Sequence, residues 1–264
     1  MAEFTAKDVQ ALRQATGAGM MDAKRALQEN GGDFDTAARW LREKGLAGAA
    51  KRGDRENSQG AVSVANTGSA AAIVELKCET DFVAKSPDFT ALVEELADAV
   101  ATEGEEAAAK RAAAIDDLKV SLKENIELGR VVHFEAVPDA VLDTYLHIQN
   151  ERGVNGVVVE VVGGDRALAH DIALHIASSR PEFLSREDVP ADRIEAERSV
   201  LESRTRNEGK PEQAIPKIVE GRLNGFFKEI CLLEQPFVKD QKQTVRQLLG
   251  DATVTRFAQV EIGN

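Results

Sequence analysis

Apolar positions along the chain change period several times, and each change marks an element. From residue 5 the spacing is helical: Thr5-Ala6-Lys7-Asp8 supplies a capping signal, and Val9 and Leu12 fall on adjoining turns. Thr16-Gly17-Ala18-Gly19 breaks that helix, and a second is predicted from Met20 to Glu29, ending at Asn30-Gly31-Gly32. A third starts after Asp33 or Asp35, with Phe34, Ala37, Ala38 and Leu41 on its apolar face. Three short helices bury only a modest core, which suits a docking module better than an enzyme. Neighbours on a helix point about 100° apart, so Met20 and Met21 cannot both face inward. One is expected to fill the core, leaving the other thioether outside as an adaptable contact. Residues 45–59 lose periodicity and gain Gly and charge, the signature of a linker holding the head loosely.

Beyond the linker one arrangement is used twice. Ala61–Val64 and Ile73–Leu76 are β-rich runs flanking the turn signal Asn66-Thr67-Gly68-Ser69. A helix from 87 to 102 follows, with Ser86 and Pro87 at its start and Phe89, Leu92, Val93, Leu96 and Val100 at helical spacing. The second copy pairs Leu142–Ile148 with Val157–Val162 across the polar segment Gln149–Gly156. It then turns through Gly163-Gly164-Asp165 into a helix over 166–179. Between the copies, 103–130 reads as helical, best patterned from Asp116 to Leu128, and 130–136 returns as a strand closed by Pro138. Pro190 to Asn207 and Pro216 to Glu229 form two helices around Glu208-Gly209-Lys210-Pro211, an antiparallel hairpin expected to project. Val245, Leu248 and Leu249 mark a short helix, and Val254–Ile262 a final strand.

The predicted fold class is therefore α+β: a three-helix head, two α+β subdomains with antiparallel hairpins, and a protruding helical hairpin. The predicted divisions are 1–56 for head and linker, 57–138 for the first subdomain, 139–187 with 231–264 for the second, and 188–230 for the helical hairpin. That hairpin is also a candidate surface for homodimerisation.

Composition narrows the function. The 264 residues are 43% hydrophobic and 30% charged, with few aromatics, as in an ordinary soluble protein. A net charge of −12 argues against direct nucleic-acid binding, which needs concentrated Lys and Arg. The excess is uneven: residues 1–56 carry ten Lys/Arg against nine Asp/Glu. Neither a secretory signal pattern nor an apolar run of about 20 residues occurs, so no membrane partner and a cytoplasmic location are expected. Cys78 and Cys231 lack metal-ligand spacing, and no phosphate-cradling loop, nucleophile elbow or zinc-protease motif is present. No cofactor or metal site is expected. A thiol hydrolase built on Cys78 is disfavoured because alternation with Val74 and Leu76 puts Cys78 on their buried face. His170 and His175 miss the i, i+4 spacing of a metal pair and read as surface or core-edge helix residues.

The stretch left for function is Thr80-Asp81-Phe82-Val83, between the strand ending near Cys78 and the helix beginning at Pro87. An acid beside a large ring on a connecting segment has two readings. Phe82 either plugs its own core or projects as an apolar wedge to disturb another protein's site. A non-catalytic scaffold, with a helix-binding head and an inert body, is the rival from another class.

The run Leu12-Arg13-Gln14-Ala15-Thr16-Gly17-Ala18-Gly19-Met20-Met21-Asp22-Ala23-Lys24-Arg25-Ala26-Leu27, followed by Cys78-Glu79-Thr80-Asp81-Phe82-Val83-Ala84, closely resembles the bacterial elongation factor Ts family. So do His175-Ile176-Ala177, Pro181-Glu182-Phe183 and Ile218-Val219-Glu220-Gly221-Arg222, in the family's order. The resemblance implies a ubiquitin-associated-like head and a non-enzymatic guanine-nucleotide exchange factor for the GTPase elongation factor Tu. It implies that Thr80, Asp81, Phe82 and Val83 match the segment that displaces the partner's Mg²⁺. Leu12, Met20 and Met21 would match positions docking on a partner helix, and His147 a further contact. Two departures stand out. A C-terminal helix found in some members has no counterpart beyond Ile262-Gly263-Asn264, so its contact is expected to be missing. Gly129 also replaces a basic residue that often precedes Arg130.

Overall fold

A computed structural model describes residues 4–263. The head consists of α1 (Ala6–Thr16), α2 (Met20–Glu29) and α3 (Phe34–Ala50). Thr5 caps α1 in a full capping box with Asp8, and Gly17 ends it at φ 66°. The core of the head is Val9, Leu12, Ala23, Ala26, Leu27, Ala37 and Leu41.

The expected linker begins too early. Residues 45–50 continue α3, and this extension packs against a body helix, α7 (Ala112–Leu122). Gly45 is there for proximity: a Cβ at that position would lie 2.5 Å from Val120 Cγ1. Arg42 pairs with Asp117 at 3.0 Å, and Arg52 Nη2 donates to the Lys119 carbonyl at 3.0 Å. Local propensity reads Gly45 and Gly48 as breakers; tertiary packing uses the first as a helix-contact residue. The head is docked on the body rather than tethered to it.

In the body, β1 (Gln59–Asn66), β2 (Ala70–Cys78) and β3 (Glu127–Glu135) make one antiparallel sheet in the order β1-β2-β3. A second has the order β4-β5-β8, from β4 (Ala140–Gln149), β5 (Arg152–Val162) and β8 (Thr253–Glu261). The sheets pack face to face through Val62, Ala71, Ile73, Leu142, Val158 and Val260. Side chains alternate across each strand, so Ala72, Val74 and Leu76 point the other way, toward α5 (Pro87–Glu103). Val157, Val159 and Val161 likewise face α8 (Arg166–Ser179). The result is a helix–sheet–sheet–helix sandwich, an α+β fold.

The remaining elements are short or peripheral. α4 (Asp81–Ala84) precedes α5, and α6 (Ala107–Lys110) precedes α7. α9 (Ala191–Asn207) and α10 (Ile215–Ile230) form the helical hairpin, joined by Leu201, Val219 and Leu223 in its core. A small ribbon, β6 (Pro236–Phe237) with β7 (Asp240–Thr244), leads into α11 (Val245–Leu249).

Three further expectations need correcting. Leu128 belongs to β3, because α7 ends at Lys123, whose φ of 60° turns the chain into the sheet. The β4–β5 connection is only Asn150-Glu151, at φ 51° and 64°, so strand pairing reaches Gln149 and Arg152. Two consecutive left-handed residues are the tight hairpin turn whose twist suits the flanking strands. Phe34, placed on the apolar face of the third helix, is instead partly exposed at the start of α3.

Candidate functional site: an exposed acid-and-phenyl finger

The first sheet's central strand delivers the finger. Sheet pairing of β2 runs to Cys78, which faces Gln59 across the ladder. Residues 79–86 then leave the sheet before α5 begins at Pro87. Thr80 caps the single-turn helix α4, its Oγ1 accepting from Val83 N at 3.3 Å. Within that turn the four candidates separate by burial. Ala84 is fully buried and Val83 partly buried against the core containing Phe89, so they root the turn. Phe82, with 73% of its surface exposed, is the most exposed large hydrophobic side chain among the described residues.

Of the two readings of Phe82, the core plug is therefore excluded. The core to which this turn is rooted is occupied by Phe89, completely buried with Ala84, while Phe82 is no part of it. Lys85 flanks the ring on one side: its Nζ lies 4.6 Å from the phenyl centroid and 3.4 Å from Asp81 Oδ2. Such an exposed ion pair contributes little stability, on the order of 0–1 kcal/mol. It does keep the carboxylate and the ring on one side of the turn.

A clasp that the sequence pattern did not disclose lies below the finger. Glu124, just after α7, accepts from Glu79 N at 3.0 Å and Thr80 N at 3.1 Å through Oε2. Its Oε1 accepts from Thr80 Oγ1 at 2.5 Å. In return, Asn125 N donates to Glu79 Oε1 at 2.7 Å. The buried Asn125 side chain donates to the carbonyls of Gly53 and Arg55 at 3.2 and 2.8 Å. These residues join the finger to the segment leaving the head. Partners 44 to 72 residues apart leave no local periodicity to detect.

Cys78 sits under this clasp, fully buried, with Sγ 3.2 Å from the Thr80 carbonyl. Burial first, and the nearby Glu124 charge second, push its pKa up to about 12. A thiol protonated at neutral pH is no nucleophile, which removes the chemical basis of the thiol-hydrolase reading. Among the described residues no group of three or more His, Cys, Asp or Glu is placed to hold a metal ion.

The head presents Met20 and Met21, 48% and 70% exposed, on the first turn of α2. Neither fills the core, contrary to the expectation for one of them, because Ala23, Ala26 and Leu27 already supply the inward face. Leu12, which the resemblance matches to a docking position, is completely buried inside the head, on the same inward stripe of α1 as Val9. It packs in one core with Ala23, Ala26 and Leu27 of the methionine-bearing helix.

On the second sheet, His147 is exposed on β4 beside Tyr145, whose Oη is 3.2 Å from His147 Nδ1. The next residue, Ile148, is 64% exposed. His170 is surface-placed and bonded to the buried Asp143 at 2.8 Å. His175, by contrast, is fully buried, with Nε2 2.9 Å from Gln235 Oε1 and Nδ1 accepting from Val238 N at 3.2 Å. Gly129 is explained by Glu75: the buried carboxylate fills the space a Cβ would need and accepts from Arg130 N at 2.9 Å.

Comparison with known proteins gives this geometry a context. The family model described as Elongation factor TS matches residues 79–264, from the root of the finger onward. Elongation factor Ts of Clavibacter michiganensis subsp. michiganensis (strain NCPPB 382) is 47% identical over 277 aligned residues, covering 100% of both chains. That of Mycolicibacterium vanbaalenii is 45% identical over 280, covering 100% of this chain and 99% of its own. That of Mycobacterium avium (strain 104) is 45% identical over 284, with the same coverage. The α+β sandwich with its helical head is thus a protein of translation elongation. The chain belongs to the elongation factor Ts family. None of its helices, among the described residues, is long and apolar enough to cross a membrane.

Proposed function

We propose that this chain is a guanine-nucleotide exchange factor for elongation factor Tu, working in the cytoplasm and performing no covalent chemistry itself. The observation that carries the proposal is the exposed phenyl of Phe82, beside Asp81 on a turn rooted in the core, in a member of this family. A GTPase holds GDP through backbone amides, a lysine and Mg²⁺ bridging phosphate oxygens. An exchange factor accelerates release by binding the Mg-free, empty form better than the loaded form. Linkage then requires nucleotide to weaken the factor's binding by the same ratio.

Phe82 is the wedge that enters an apolar cleft of the partner, with Asp81 alongside; Thr80 and Val83 hold the turn that presents them. Displacement of Mg²⁺ follows from the partner's rearrangement around the ring. Burying a phenyl contributes roughly 1.5–3 kcal/mol, which corresponds to about 10- to 100-fold in rate or affinity. The rest of the grip comes from Met20 and Met21 on the head and His147 on the second sheet, which contact the same partner away from the finger.

The test is release of a fluorescent GDP from elongation factor Tu with and without this chain. Stimulated release at substoichiometric amounts is expected. Binding to the GTPase without acceleration would favour an inert scaffold and overturn the proposal.

A further inference from the structure

We propose that Glu124 is a positioning residue for exchange, presetting the 80–83 finger in its projecting form before a partner arrives. The inference rests on the exchange reading above and adds to it the residue that holds the wedge ready. Beyond Cys78 the ladder no longer supports the chain, and the Glu79 and Thr80 amides turn to a side chain instead. Both donate to Glu124 Oε2, at 3.0 and 3.1 Å. Charge-assisted bonds of this kind are shorter and stronger than neutral ones.

The third bond sets direction. A carboxylate only accepts, so the Thr80 hydroxyl must spend its proton on Glu124 Oε1 at 2.5 Å. Its lone pairs are then free to accept from Val83 N at 3.3 Å, the bond that caps α4. Without Glu124 the hydroxyl is free to turn, the two strand-end amides lose their acceptor, and the turn carrying Phe82 loses its orientation. Glu124 is itself fixed from both sides. The left-handed Lys123 turns the chain out of α7, and Asn125 N donates to Glu79 Oε1 at 2.7 Å while its side chain holds the Gly53 and Arg55 carbonyls. Ordering a binding loop in advance removes that cost from the encounter, so the effect of Glu124 is expected on the step that Phe82 serves.

The test is a double-mutant cycle read by stimulated release of fluorescent GDP, with binding to nucleotide-free partner and amide exchange measured in parallel. Glu124→Ala is expected to slow release about tenfold by loss of preorganisation, while its affinity for nucleotide-free partner changes by less than about threefold because head contacts persist. In a Phe82→Ala background the same substitution is expected to add less than about twofold, since both act through one ring. The Glu79 and Thr80 amides should exchange faster in the free Glu124→Ala protein while core amides of β2 stay protected. Glu124→Gln, which keeps one acceptor oxygen, should fall between wild type and Glu124→Ala, and serves as the reporter if the alanine variant does not fold. Multiplicative effects of the two substitutions, or normal release by Glu124→Ala where Phe82→Ala is impaired, would overturn the inference and leave the exchange reading standing. Normal release by Phe82→Ala would overturn both.

Discussion

The two halves of the body share one plan and differ at one junction. In each, a hairpin feeds a helix packed on the outer face of its sheet: β1 and β2 lead to α5, and β4 and β5 lead to α8. In the second half the passage is brief. Gly163-Gly164-Asp165 turns directly into α8, with Asp165 Oδ1 accepting from Leu168 N at 2.8 Å. In the first half eight residues, 79–86, occupy the same passage, enough for a helical turn, a clasp to Glu124 and a phenyl aimed outward. A three-residue turn suffices to connect strand and helix, so the longer passage is there for what it carries. Stability resides in what the halves share, and the proposed function in what only one of them has.

That division is tested most strongly by two phenyl rings seven residues apart. Phe89 is completely buried in the first half's core. Phe89→Ala is expected to cost about 3–5 kcal/mol in chemical denaturation. A smaller loss is expected where head meets body. Gly45→Leu forces a side chain against Val120 and should cost about 1–3 kcal/mol, together with faster proteolysis of the 51–58 segment. Unchanged cleavage would mean that the α3–α7 contact does not hold the head.

Between about pH 5.5 and 7.5 the pH effect expected comes from His175, in the second half. Burial lowers the pKa of His175, with its bond to Gln235 opposing the shift. The unfolded chain takes up that proton near pH 6.5 whereas the folded chain resists it. Between the folded and unfolded values the unfolded state therefore binds more protons, and stability falls as pH drops. Melting temperature should decline from pH 7.5 toward 5.5 (round values bracketing the histidine range, about one unit either side). His175→Gln should flatten that slope; an equal slope in both proteins would assign the acid sensitivity elsewhere. The smallest effect is expected from Phe82→Ala, which should change folding stability by no more than about 0.5 kcal/mol. A loss comparable to that of Phe89→Ala would mean that the ring packs inside and would dissolve the distinction between the halves.

What the chain discloses locally and what it does not follow the same physical line. α5, α8 and α9 lie within a residue or so of expectation because period, caps and proline agree over three or more turns. The finger is legible as a location, since Thr80-Asp81-Phe82-Val83 interrupts two strong patterns, but which side chain of the turn is buried shows only in the fold, where Val83 and Ala84 join the core of Phe89 and Phe82 stays outside it. The features misread depend on distant partners or special backbone. Gly45 looks like a breaker until Val120 is beside it, and Leu128 continues a helical pattern that Lys123 cuts off. The resemblance matches Leu12 to a partner contact, and that its own helix turns it inward shows only in the packed head. Glu124 could not be found at all from spacing, being one acidic residue among many until the fold brings it to Thr80.

The central claim is that an outward phenyl, rather than general adhesion, drives nucleotide release. It is tested most directly by comparing wild type and Phe82→Ala in stimulated fluorescent-GDP release and in affinity for nucleotide-free elongation factor Tu. The account predicts a loss of about 10- to 100-fold in stimulated release, with a distinctly smaller loss in affinity. Equal losses in the two measurements, or full stimulation by Phe82→Ala, would contradict it.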